Sequence, residues 1–163
     1  MRTSKNRITL TQLKLACRHV EELLAASVTE NLAIRTLELF ADVYAKMHTG
    51  GSATPHHVSQ FDRWSSAALA VRRRDPEATP RDHYRVEHGT PRRTFARMVL
   101  DLHRRDQLDE TRMHVLVETY WKIAVITVDE DARLNKIARS KSFPTPEERW
   151  AAAGIIFPEG DEI

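Results

Sequence analysis

Residues 121–135 read WKIAVITVDEDARLN, and they hold the one convincing strand signal in the chain. Ile123-Ala124-Val125-Ile126-Thr127 is a short run rich in β-branched side chains, the composition that fits a pleated, buried strand. Thr127 and Glu130 then stand at the spacing of a capping box. In that motif the threonine hydroxyl accepts from a first-turn N–H and the glutamate reaches back to the N–H of the cap residue. A helix is therefore expected to begin where the strand ends. A lone strand leaves its own backbone donors and acceptors without partners, so a second strand is required. The short, extended-looking segment His83 to His88 supplies it, around Tyr84-Arg85-Val86-Glu87-His88. The fold class expected is mainly α: a multi-helix domain with a small two-stranded sheet in its second half, a ββα-like unit.

Outward from this stretch the helical period takes over. Residues 9–26 carry Leu13, Ala16, Cys17, Val20 and Leu24 on one stripe. Ser27 and Glu30 have capping-box spacing, which predicts a second helix with Ala33, Leu37, Phe40, Tyr44 and Met47 on one face, ending before Gly50-Gly51. So short a link implies an antiparallel pair. Thr54-Pro55 opens a third helix with Val58, Phe61, Trp64, Ala68 and Val71 inward, stopped by Asp75-Pro76. Residues 75–82 are polar, contain Pro76 and Pro80, and read as a loop at a subdomain boundary. Thr90-Pro91 starts a fourth helix with Phe95, Met98, Val99 and Leu102 inward. Asp109 caps a fifth, with Leu108 and Met113 as a hydrophobic staple across the cap. Thr145-Pro146-Glu147-Glu148 begins a last short helix, closed by Gly154. The organisation expected is one domain over 1–163, with a helical bundle in 1–75 and the ββα-like unit, two helices inserted between its strands, in 82–163.

The bulk numbers narrow the function classes. A chain of 163 residues with 41% hydrophobic and 29% charged side chains is an ordinary globular composition, able to bury a full core. Cys17 is the only cysteine, so neither an internal disulfide nor a multi-cysteine zinc site can form within one chain. No apolar run reaches membrane-spanning length, and the basic start lacks the apolar core of a signal peptide. A cytoplasmic location is expected. Charge is uneven: residues 71–105 carry ten Lys/Arg against five Asp/Glu, whereas residues 106–163 carry seven against twelve. The basic stretch includes Arg72, Arg73, Arg74, Arg92 and Arg93; with Arg139 these are the candidate contacts to nucleic-acid phosphates. Arg72-Arg73-Arg74 also has a structural reading, because cations at a helix C-terminus meet the negative end of its dipole. His56-His57 with His83 is a minor metal candidate, exposed histidines being the commoner reading. Trp64, Trp121 and Trp150 read as core residues.

One constellation carries chemistry. Glu87-His88-Gly89-Thr90-Pro91 ends the first strand, and the helix after the second strand presents Asp131 and Asn135 one turn apart on one face. This order, over residues 84–92 and 121–141, resembles the HNH (ββα-metal) nucleases. The resemblance implies metal-dependent hydrolysis of a nucleic acid phosphodiester backbone. His88 would be the general base, Glu87 and Asp131 the ligands of Mg²⁺ or Mn²⁺, and Asn135 the residue that orients the base or the water. Such roles suit the chemistry, since imidazole is poised near neutral pH and hard dications favour carboxylate oxygen. Two alternatives stay open on the sequence. One is a non-catalytic helical interaction or regulatory protein, with a protein partner or a second copy in a homodimer. The other is DNA or RNA binding without cleavage, with salt-dependent affinity and no metal requirement.

Overall fold

The computed structural model describes residues 7–49, 58, 61–138 and 141–159. Its elements are α1 (Leu10–Ala25), α2 (Glu30–Ala33), α3 (Arg35–Thr49), α4 (Ser66–Arg74), α5 (Pro80–His83), β1 (Tyr84–His88), α6 (Arg92–Arg104), α7 (Glu110–Tyr120), β2 (Ile123–Thr127), α8 (Val128–Ala138) and α9 (Pro146–Ala152). The chain is mainly helical with a two-stranded antiparallel sheet in its second half, as expected. Among the described residues no helix is long and apolar enough to cross a membrane.

Two compact units form, and neither is continuous in sequence: 1–50 with 90–121, and 51–89 with 122–163. This differs from a split into 1–75 and 82–163. The two inserted helices, α6 and α7, join the N-terminal helices, while α4 joins the sheet.

In the first unit α1 is capped by a full box between Thr9 and Gln12 and buries Leu13, Ala16, Cys17 and Val20. Burial pushes the Cys17 thiol up to about 12, with Glu21 adding to the rise and Arg104 opposing it, so this cysteine is held as an inert thiol. Ser27 does not cap the next helix. It lies in the left-handed region (φ 64°), with its N–H on Leu24 O and that of Val28 on Leu23 O. That is the Schellman closure of α1, and Thr29 is the true N-cap of α2. The second predicted helix is thus two, broken at Ile34, and α3 buries Leu37, Ala41, Tyr44 and Ala45. Helix α6 lays Phe95, Ala96, Val99 and Leu100 into the same core, and α3 and α6 are tied by Arg93 to Glu38 at 2.7 Å. Asp109 caps α7 through Arg112 N, and the staple pair Leu108 and Met113 is buried.

In the second unit β1 and β2 pair with Tyr84 opposite Thr127, Val86 opposite Val125 and His88 opposite Ile123. The predicted third helix is shorter than its periodicity implies. Thr54-Pro55 lies outside the described residues, and residues 63–65 are extended. Val125 N donates to Arg63 O at 2.9 Å and Ser65 N to Val125 O at 3.0 Å, a parallel bridge centred on Trp64. This bridge lies on β2's other edge, which leaves Ala124, Val125 and Ile126 fully buried. Ser65 then caps α4 through Ala68 N. One sheet face packs Tyr84 and Val125 with Trp64 and Ala68; the other packs Ala124 and Ile126 with Leu134 of α8 and Trp150 of α9. Gly154 (φ 68°) closes α9, with Ile155 N on Trp150 O and Gly154 N on Ala151 O.

Candidate functional site

Strand geometry decides where the constellation points. Successive side chains of a strand leave on opposite faces. Glu87 shares the α8–α9 face, whereas His88 falls with Tyr84 and Val86 on the face that holds Trp64. The two adjacent residues are therefore not brought together as a base beside a metal ligand.

Glu87 has a different partner. The Arg149 guanidinium forms an ion pair with its carboxylate, and Nη1 also donates to His88 O at 3.2 Å and Gly89 O at 3.4 Å. Both side chains are largely buried, 15% and 9% exposed. Burial raises the Glu87 carboxyl above its ordinary value; Arg149 pulls it down, and Asp131 adds to the rise. Asp131, in the first turn of α8, is therefore an electrostatic neighbour of Glu87, while Asn135 is exposed one turn on. A hard dication needs several oxygen ligands, and here the buried carboxylate already has a guanidinium on it. Among the described residues no group of three or more His, Cys, Asp or Glu side chains is placed to hold a metal ion. The donor set around Glu87 and Asp131 does not fit Mg²⁺ or Mn²⁺ in this arrangement. His56 and His57 lie outside the described residues, and His83 is exposed.

Arg149 holds the end of β1, and Gly89 lets it do so. Gly89 N donates to Lys122 O at 2.7 Å, extending the ladder. A Cβ at Gly89 would overlap Pro146 Cβ and lie 2.9 Å from Trp150 Cζ2. Behind the sheet, Glu130 is 2% exposed and does more than close the capping box. It accepts from Thr127 N at 2.8 Å and from Ser65 Oγ at 2.6 Å, joining α8 to the start of α4. The spacing from Thr127 identified Glu130 as a cap; its bond to Ser65 had no local signal.

The basic candidates separate as well. Arg72 stacks on Trp64, 4.8 Å from the ring centroid. Arg73 and Arg74 are exposed at the end of α4. Arg92 is exposed in the first unit, and Arg93 is taken by Glu38 and Asn31. Arg139 lies outside the described residues.

The second unit has a groove of about 590 Å³ lined by Arg133, Lys136, Ile137, Lys141, Phe143 and Ala152. Arg133, Lys136 and Ile137 share one face of α8. Arg133 is steadied by donating from Nε to Ala153 O at 3.0 Å. Lys136 and Lys141 are exposed and meet no carboxylate among the described residues; Phe143 is half-buried. Three cations thus share the lining with Ile137, Phe143 and Ala152, and no acid is among them. Residues 132–143 contain Arg133, Lys136, Arg139 and Lys141 and no Asp or Glu, a signal that summing charge over 106–163 averages away. A smaller hollow of about 310 Å³ between α1 and α3 is lined by both Arg18 and Glu22 and so favours neither sign of charge.

Comparison with models of known families, with curated proteins and with solved structures finds no match to this chain.

Proposed function

We propose that this chain binds nucleic acid without cleaving it, through the cationic groove beside α8. The observation that carries the reading is the lining itself: Arg133, Lys136 and Lys141 around Ile137 and Phe143, with no carboxylate among them. Phosphates provide the complementary charge, and a repeating phosphate chain engages several lysines and arginines at once, releasing counterions as it does so. Arg73 and Arg74, exposed in the same unit, add positive surface of the same sign. The Glu87–Arg149 pair and the location of His88 on the opposite sheet face support binding over hydrolysis, because the carboxylate and the imidazole do not converge on one site.

The test is fluorescence anisotropy with labelled oligonucleotides at graded salt, comparing wild type with Lys136→Gln/Lys141→Gln. Wild type should bind with an affinity that falls steeply with salt. Each lysine removed should lower the slope of log affinity against log salt by about 1 if it meets one phosphate. An unchanged slope in the double variant would remove the groove from the account.

A further inference from the structure

The groove joins two features that a duplex uses poorly together. Its lining is both cationic and apolar, and the apolar part includes an aromatic ring, Phe143, as well as Ile137. Its volume of about 590 Å³ falls within the roughly 300–1,000 Å³ typical of sites that enclose a drug-sized ligand. Within a duplex the bases are stacked on one another and offer no free face to a ring. An unpaired base offers one, and stacking on an aromatic side chain beside lysines is how strands are held without reading their sequence. The three tryptophans do not fill that role, since Trp64, Trp121 and Trp150 are each at most 5% exposed.

We propose that the groove takes single-stranded nucleic acid, with one unpaired base laid on Phe143 and Ile137 and the adjoining phosphates on Lys136 and Lys141. This rests on the reading that the chain binds nucleic acid, and adds the class of strand and the residue that selects it. Phe143 acts by its ring face, so a leucine of comparable apolarity does not replace it and a tryptophan does.

The experiment uses the full chain and three labelled probes: a single-stranded DNA, the same sequence as RNA, and the DNA duplex. Circular dichroism first checks that Phe143→Leu and Phe143→Trp are folded. Expected are tighter binding of the single strands than of the duplex, and a roughly fivefold to hundredfold loss of single-strand affinity in Phe143→Leu. Duplex affinity should fall much less than single-strand affinity in that variant, and Phe143→Trp should retain the single-strand preference. DNA and RNA strands bound alike would mean recognition of base and phosphate alone; a preference for one would add a contact to the sugar. Equal binding of strand and duplex, with Phe143→Leu neutral and the lysine double variant weakened, would overturn this inference and leave nucleic-acid binding standing. No binding to any oligonucleotide at low salt, with capture instead on phosphatidylglycerol vesicles, would overturn both and assign the cations to a lipid surface.

Discussion

Arg149 is the residue on which the reading of the second unit turns. Its guanidinium meets Glu87 and two carbonyls at the end of β1, so the carboxylate that resembles a metal ligand serves instead as the anion of a buried pair. Removing one member of such a pair leaves the other charge buried without compensation, whereas replacing both with apolar groups is often neutral. Arg149→Met should therefore destabilise by about 3–5 kcal/mol, and Glu87→Leu/Arg149→Met should recover most of that loss. Additive losses in a urea-denaturation cycle would show that the two side chains act independently. The pH dependence has a definite sign. Because burial raises the carboxyl in the folded state, the folded chain keeps its proton at a pH where the unfolded chain has lost it. Stability attributable to Glu87 falls as pH rises between the two values, and levels off above the folded one. Glu87→Gln should lack that falling segment. Neither Arg149 nor its pairing was legible in the sequence: Arg149 lies in a short helix 62 positions from Glu87, and nothing local to either residue encodes their meeting.

At the scale of elements, what was legible was what local chemistry determines. β2 and the Thr127–Glu130 box, the Asp109 cap and the Thr145 start of α9 all depend on side chains within four residues of one another, and all are present. Two elements departed for physical reasons. Phe61, Trp64, Ala68 and Val71 have helical spacing, but residues 63–65 gain two backbone bonds to Val125 and stay extended, a tertiary preference that overrides the period. Ser27-x-x-Glu30 has box spacing, but the chain needed a left-handed residue there to close α1. Ser65 is the hinge of the first departure: it caps α4 and donates to the buried Glu130 at 2.6 Å. Ser65→Ala removes a cap, at about 0.5–2 kcal/mol, and a hydrogen bond to a charged group, at about 1.5–3 kcal/mol. A combined loss of roughly 2–5 kcal/mol is expected from chemical denaturation on these two terms. A loss below 0.5 kcal/mol, the bottom of the capping range, would mean that neither bond contributes to holding α4 and α8.

For the whole molecule, the distribution of charge separates the functional readings. The basic stretch 71–105 looked like the nucleic-acid face, yet Arg93, Arg97 and Arg104 are ion-paired with Glu38, Glu30 and Glu21 within the first unit. Their charge serves to fasten α6 to the N-terminal helices. Arg73, Arg74 and Arg92 stay exposed in that stretch, but the cationic groove lies where the summed sequence charge is negative, because Lys136 and Lys141 sit between the acids of 129–131 and those of 147–148. Block sums erase a groove lined by six residues, and only folding shows which side chains line it. The order of β1, β2 and α8 was legible, and Asp131 does lie in the electrostatic neighbourhood of Glu87. The opposite facing of Glu87 and His88 follows from strand alternation, whereas the arrival of Arg149 from α9 is tertiary and had no local signal. The most direct measurement is a gel on which one labelled single strand is incubated with the intact chain, with and without Mg²⁺ or Mn²⁺. A strand that is retarded but intact under every condition, and released at high salt, is the expected result. Metal-dependent fragments that disappear in folded His88→Ala would contradict it and restore the active nuclease.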